Sequence, residues 1–389
     1  MTTIGKAQVI IIGGGVIGTS IAYHLTRKGI KDVILIEKEL ILGMGSTGRS
    51  VGGIRQQFSQ AVNVLLTQES LKEIETFSEV MEVDLDFSQN GYLLLATKET
   101  ELDEFKRNVK FQKSLGVDVH LLNPTDIQEL VPGLNCHDVL GGTFCPKDGY
   151  VDPYGLVYGY SKQTLRHGGK ILFQTEAIGI KSSGSRVKGV ITNRGFIEGS
   201  IVVNAAGPKA GGVAEMFGLR LPAKPLKRQV FVTGQVSAIR KTTPMVITYS
   251  PPFYFRPESG GLLLSLAEKE EVGDFNLTVS WDHLEQLAEI TLQRLPLLDD
   301  IEIIRGWAGL RTLSPDQNAI VGEIPNGSGF YCAMAFSGHG IMHAPVTGKL
   351  VAEMIAEGKA SSLDIKELNP ERFTMETFKR DSNFEASVI

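Results

Sequence analysis

The chain has 389 residues but only three cysteines, Cys136, Cys145 and Cys332. That is too few for a disulfide scaffold or a paired CxxC zinc site, and it suits a reducing compartment. Long apolar runs are missing as well. No stretch approaches the roughly 20 apolar residues of a membrane span. The most apolar N-terminal run, Val9 to Ile12, is cut by Gly13-Gly14-Gly15. A secretory leader would need a basic start, a longer apolar core and a small-residue cleavage site. The head of the chain reads instead as a strand entering a turn, and a cytoplasmic protein is expected. Nor is there a basic excess: 39 Lys and Arg stand against 44 Asp and Glu, a net charge of −5. That leaves no electrostatic footprint for nucleic acid. With 42% hydrophobic and 21% charged residues, wholesale disorder is excluded.

Glycine, by contrast, is abundant: 43 of 389 residues, about 11% against a usual ~7%. Its placement carries the first functional signal. Gln8 to Ile12 is a short β-branched run suited to a buried parallel strand, and Gly13-x-Gly15-x-x-Gly18 follows it. Val16, Ile17, Ile21, Ala22 and Leu25 then recur at helical spacing up to Gly29, and Val33 to Ile36 forms a second strand ending in Glu37. This is one βαβ unit with a dinucleotide fingerprint. The glycines allow a tight turn and close approach of a pyrophosphate to the helix N-terminus, and Glu37, about 20 residues on, can accept ribose hydroxyls. The alternative is a glycine turn that merely packs. A glycine-rich strip, Gly43 to Gly53, comes directly after, with Ser46, Thr47 and Arg49 in it. An NAD protein normally continues there into a crossover helix, so backbone laid along a long flat cofactor favours FAD.

Further along, a long helix is expected from Val62 with Leu65, Leu66, Leu71, Ile74 and Phe77 on one face. Tyr92 to Ala96 reads as a strand, Leu102 to Leu115 as an amphipathic helix, and Asp152-Pro153 as a helix start. Strands are expected at 170–173, 187–192 and 200–205, mostly β pattern from Pro222 to Leu266, and a helix from Trp281 to Leu295. Phe330 to Ala335 is strand-like, Ser337-Gly-His-Gly opens a helix from about Ala344 to Glu357, and the tail after Lys359 is expected to wrap the surface. No internal repeat is visible. The alternation suggests an α/β cofactor domain built from 1–80, 145–215 and 305–389, interleaved with a β-rich cap from 81–144 and 216–304.

Four motifs in order, the fingerprint, Gly52-Gly53-Ile54-Arg55-Gln56-Gln57-Phe58, Trp307-Ala308-Gly309-Leu310-Arg311-Thr312-Leu313-Ser314-Pro315-Asp316 and Ala335-Phe336-Ser337-Gly338-His339-Gly340-Ile341-Met342, resemble the D-amino-acid-oxidase superfamily. Within it the chain is most similar to the FAD-bearing β subunits of archaeal-type L-proline dehydrogenase and of heterotetrameric sarcosine oxidase, from Val9 to about Ala356. Val202-Val203-Asn204-Ala205-Ala206-Gly207 matches the family's second FAD-proximal turn. The resemblance implies an α/β fold: a Rossmann-like FAD domain of the glutathione-reductase type, interleaved with a β-sheet-rich α+β substrate domain. It implies FAD contacts at Gly13, Gly15, Val16, Ile17, Gly18, Glu37, Lys38, Gly45, Ser46, Thr47, Arg49, Gly53, Ala177, Ala206, Gly207, Gly309, Leu310, Gly338, His339, Gly340, Ile341 and Met342.

The same resemblance implies roles. Arg55 falls where a relative holds its substrate's carboxylate, a task that suits a guanidinium fork; a structural salt bridge is the alternative. Tyr254 falls where a ring covers the substrate, or is a sheet aromatic. His339 would bond the flavin or cap its turn. Gly309 stands where some relatives tether FAD through cysteine, so non-covalent FAD is expected. Met342 stands where the family's oxidases carry a lysine that assists oxygen reduction. That favours a dehydrogenase for a small secondary amino acid such as L-proline or sarcosine, with electrons leaving through a partner subunit. Tyr150-Val151 replace the histidine that attaches FMN in sarcosine oxidase, so covalent FMN is not expected, while non-covalent FMN at a subunit interface stays open. A dehydrogenase complex or a homo-oligomer is expected. The rivals are a free-standing oxidase that makes hydrogen peroxide and an FAD-binding assembly protein without turnover. No metal site is expected: His339 and His343 lack a third ligand. Ser337 lacks triad partners, His24 reads as a helix-surface residue, and Cys136 and Cys145 have no functional account.

Overall fold

A computed structural model describes residues 2–267 and 273–373. Its first sheet is built on Thr3–Ile12, whose inner residues Val9 to Ile12 are buried on both faces. Strand order is Ile320–Glu323, Phe330–Met334, Gly195–Asn204, Thr3–Ile12, Val33–Ile36, Lys170–Leu172. Along this path all neighbours are parallel except the edge strand Ile320–Glu323, and an antiparallel pair, Ala177–Ser183 with Arg186–Thr192, joins the sheet through Gly195–Asn204. A parallel sheet must be covered twice. On one face Val9 and Ile11 pack with Ile21 and Leu25 of helix Val16–Arg27 and Leu350 and Val351 of helix Gly340–Glu357. On the other, Ile10 and Ile12 pack with Val190, Ala210 and Val213.

The second sheet runs Ile303–Leu313, Lys224–Thr233, Gly261–Leu266, Pro252–Glu258, Met245–Tyr249, Tyr92–Ala96, Gly141–Cys145, His120–Leu122. Residues 305–313, grouped above with the first domain, are hydrogen-bonded here, Arg311 opposite Leu226 and Trp307 opposite Val230. A short ribbon pairs Gly53–Ile54 with Gly149–Tyr150 between the two sheets. Among the described residues no helix is long and apolar enough to cross a membrane.

Several expectations need correction. The long helix from Val62 stops at Ile74, and Phe77–Met81 is a separate short helix; Thr76, between them, turns its hydroxyl back onto Lys72 O. Helix Gly340–Glu357 begins four residues before the expected Ala344, straight from His339. His24 is buried, not on a surface: its Nε2 lies 3.3 Å from Glu73, which also accepts from the Tyr160 hydroxyl at 2.6 Å. Of the tail, Leu368 and Phe373 are buried in the first sheet's cores, and 374–389 lies outside the described residues.

The two helices on the first face cross closely. Ser20 Oγ donates to Ala344 O at 2.8 Å, and a Cβ built at Gly348 would lie 2.1 Å from that same Oγ. Overpacking of this kind costs about 1–3 kcal/mol. Gly348→Ala is therefore expected to lower the unfolding free energy by that amount, read as a lower urea midpoint at unchanged slope, and an unchanged midpoint would show that the crossing can relax.

Candidate functional site

Parallel strands end where the chain turns, and the first turn opens the site. Gly13 has φ +111°, and a Cβ there would lie 2.4 Å from Ala205 O; a Cβ at Gly18 would lie 1.9 Å from Gly13 O. Only glycine lets the helix seat on the strand end this closely. The first N–H groups of a helix have no intrahelical partner. Here Thr47 Oγ1 accepts from Val16 N–H at 3.1 Å, and Gly15, Val16 and Ile17 line a cavity of about 760 Å³. Glu37 lines it too, beside Lys38 and Glu39. Its Oε2 accepts from Gly14 N–H at 2.7 Å and its Oε1 from Glu39 N–H at 2.9 Å. Each oxygen keeps a second lone pair for a hydroxyl donor.

Polar side chains of the glycine strip are hydrogen-bonded to the second sheet. Ser46 Oγ donates to Leu310 O at 2.5 Å, Arg49 Nη1 to Ala308 O at 3.0 Å, and Trp307 Nε1 to Arg49 O at 3.0 Å. The polar heads of Ser46 and Arg49, expected on the cofactor, thus tie the strip to strand Ile303–Leu313. Met44, Gly45, Ser46, Thr47, Arg49 and Gly53 still line the cavity, as do Ala177, Ala206, Gly207, Gly309 and Leu310. Gly18 lies behind this wall, in the helix packing.

At the other side the cavity is lined by Arg55, Tyr254, Gly338, His339, Gly340, Ile341 and Met342, bringing together residues that lie almost 300 positions apart. Arg55 is 9% exposed. Its guanidinium carbon lies 4.7 Å from the Phe58 ring centre and its Nη2 3.4 Å from His339 Nε2. Arginine has only donors, so His339 Nε2 must be the acceptor and the proton sits on Nδ1. Burial, reinforced by the charge of Arg55, holds His339 far below its ordinary value and therefore neutral. No carboxylate among the described residues pairs with Arg55.

Sequence reading did not single out four further groups. Arg311 and Arg228 line the cavity from strands Ile303–Leu313 and Lys224–Thr233, and Arg311 packs on the backbone of Gly338. Burial and the nearby Arg228 and Arg55 push Arg311 down to about 10. Tyr92 lines the cavity beside them, its hydroxyl pushed up by burial. Asp148, fully buried, sits behind the 55–57 segment. Arg311 lay inside a quoted motif. A charged residue in an alternating strand, by contrast, reads as the solvent face, which hid Arg228. Among the described residues no cluster of three metal-ligating side chains occurs.

Titration of the buried histidines sets a pH dependence. His343, bonded to Thr67 Oγ1 at 3.1 Å, is held down to about 3 by burial, and His339 is also held low. Unfolding lets both rise toward ~6.5, so their contribution is complete above that value and falls at about 1.4 kcal/mol per pH unit per histidine as pH drops. Asp148, pushed up to about 6 by burial, opposes this between 3.8 and 6. Urea midpoints should therefore decline below about pH 6.5, and His343→Gln should remove its share of that slope. An unaltered slope would mean that His343 is charged in the folded state.

Residues 8–354 match the family described as FAD dependent oxidoreductase (DAO). The crystal structure of L-proline dehydrogenase from P. horikoshii superposes with a TM-score of 0.89 at 34% identity, covering 95% of this chain and 98% of that one. Glycine oxidase from Geobacillus kaustophilus superposes with a TM-score of 0.85 at 26% identity, over 94% and 98%. Mitochondrial dimethylglycine dehydrogenase of Mus musculus is 30% identical over 95% of this chain, which spans 44% of its length. A glycine turn that excludes any side chain, an acid at the second strand end and a large glycine-rich cavity beside them fit an FAD, and with a match over most of its length the chain belongs to the DAO family of FAD-dependent oxidoreductases.

Proposed function

We propose that the chain is an FAD-dependent amine dehydrogenase for a small secondary amino acid of the L-proline or sarcosine type. The observation that carries this reading is Arg55: a nearly buried guanidinium in the cavity wall, with a neutral histidine, the Tyr249 hydroxyl and the Phe58 ring as its neighbours and no described carboxylate as partner. A buried cation of this kind gains most from a bidentate anion, and the substrate's carboxylate is that anion. Names among the similar proteins (proline dehydrogenase, glycine oxidase, dimethylglycine dehydrogenase) support an amino-acid carboxylate as the common feature.

The glycine turn, Glu37, Thr47 and the 43–53 strip would hold FAD non-covalently, since Gly309 offers no sulfur for a tether. When bound, FAD supplies the acceptor for a hydride from the carbon next to the substrate nitrogen. The protein's share is to bind, orient and exclude water. Arg55 fixes the carboxylate, His339 keeps the guanidinium aimed without adding charge, and Tyr254 and Tyr92 close the apolar wall around the substrate. The product imine would leave to be hydrolysed. Among the described residues nothing supports a second flavin, and FMN is not part of the proposal. Met342 brings a neutral thioether to the wall where a cation would favour oxygen reduction. Electrons would pass to a partner subunit or another acceptor. A cytoplasmic setting rests on composition and on three free cysteines.

Two measurements test this. With an artificial electron acceptor, Arg55→Ala is expected to lower kcat/KM for L-proline or sarcosine by roughly 10²-fold, as the loss of one buried charge partner does. An unchanged value would remove Arg55 from substrate binding. Met342→Lys is expected to speed reoxidation of the reduced protein in air by roughly tenfold. Fast reoxidation already in the unaltered protein would favour the oxidase reading.

A further inference from the structure

Arg55 leaves the ribbon Gly53–Ile54 with its aim still to be set, and the residues that follow it are held by one carboxylate. Asp148 directly precedes the partner strand Gly149–Tyr150, in which Gly149 faces Ile54. Asp148 Oδ1 accepts from the main-chain N–H of Gln56 at 2.8 Å and from Gln56 Nε2 at 3.3 Å, and its Oδ2 accepts from Gln57 Nε2 at 3.2 Å. Gln57 Nε2 also donates to Tyr92 O at 3.0 Å, and its Oε1 accepts from the Thr143 hydroxyl at 2.7 Å. The knot thus joins the Arg55 segment to strands Tyr92–Ala96 and Gly141–Cys145 of the second sheet.

Burying that carboxylate is costly. It is fully buried, and no described lysine or arginine forms a salt bridge with it. A neutral side chain would spare the fold the desolvation of a charge. What the charge provides is geometry: a carboxylate is acceptor-only at both oxygens, so it can receive a main-chain N–H and two side-chain amides at once. An asparagine of the same shape would turn an N–H₂ toward one of those donors and let the segment shift.

We propose that Asp148 is a positioning residue for substrate recognition, holding Gln56 and Gln57 so that Arg55 presents its guanidinium to a carboxylate in the cavity. This rests on the reading of Arg55 given above. The Asp148 side chain need not touch substrate, so removing it should loosen recognition of the anion specifically.

The test uses FAD-loaded protein and isothermal titration with pyrrole-2-carboxylate and its neutral isostere pyrrole-2-carboxamide. Asp148→Asn is expected to weaken the carboxylate about tenfold and to leave the carboxamide within about twofold, with the flavin-to-protein ratio unchanged. A merely structural role would weaken both ligands together. Should Asp148→Asn not fold, Gln57→Met, which cuts the same knot at one strand, should show the same split at smaller amplitude. Equal loss for both ligands, or no loss, overturns the inference, provided that Arg55→Ala abolishes the preference for the carboxylate. If Arg55→Ala keeps that preference, it is the Arg55 reading that fails.

Discussion

The segment from Gly43 to Arg55 is tied at one end to the glycine turn and along its length to strand Ile303–Leu313 of the second sheet, and it lines much of the cavity. Thr47 takes the first N–H of helix Val16–Arg27, so the strip is fixed to the glycine turn. Ser46, Arg49 and Trp307 fix it to strand Ile303–Leu313. Gly53 and Ile54 then pair with Gly149 and Tyr150 before Arg55 enters the wall. One irregular stretch therefore sets the distance between the glycine turn and the guanidinium. Several of its side chains are taken up by these ties. That explains a run rich in both glycine and hydroxyls, where glycine alone would give a flexible loop.

Electrostatics on the far side follow a different rule. Charges buried in low dielectric are costly unless paired. Arg55 meets that rule only partly, with a π face and a neutral imidazole as partners. On the proposed reading, the protein gives up folding stability at this point and an anionic substrate supplies the rest. His339 fits the same logic, since a protonated imidazole beside a guanidinium would add repulsion. Asp148 stands one layer behind, exchanging its own desolvation for a fixed segment. Sites that must recognise a charged group are held in shape before the ligand arrives.

Much of the cofactor end was legible in the sequence because it depends on local spacing. The strand at Val33 to Ile36 and the positions of Gly13, Gly18 and Glu37 follow from periodicity and turn chemistry, and the structure places each at the turn or behind it. The substrate end was legible only in part. Arg55, Tyr254, His339 and Met342 came from a resemblance, and they do share one wall. Arg228, Tyr92 and Asp148 escaped because their meaning depends on which strands become neighbours: Tyr92–Ala96 pairs with Gly141–Cys145 and, in parallel, with Met245–Tyr249. No local pattern announces such pairings. Ser46 and Arg49 line the cavity as expected of the strip, but their bonds to Leu310 and Ala308 depend on a strand more than 250 residues away that local sequence does not reveal. His24 was misread because one histidine in a helix carries no sign of the Glu73 and Tyr160 that bury it.

The central claim is that this one chain holds FAD and brings a small secondary amino acid to it. Its most direct test is the visible spectrum of the purified, FAD-loaded protein without oxygen, recorded as L-proline and then sarcosine are added. Loss of the oxidised-flavin colour with either amino acid is the result this account requires. A protein that stays fully yellow with both, at saturating concentration and over long incubation, would contradict it.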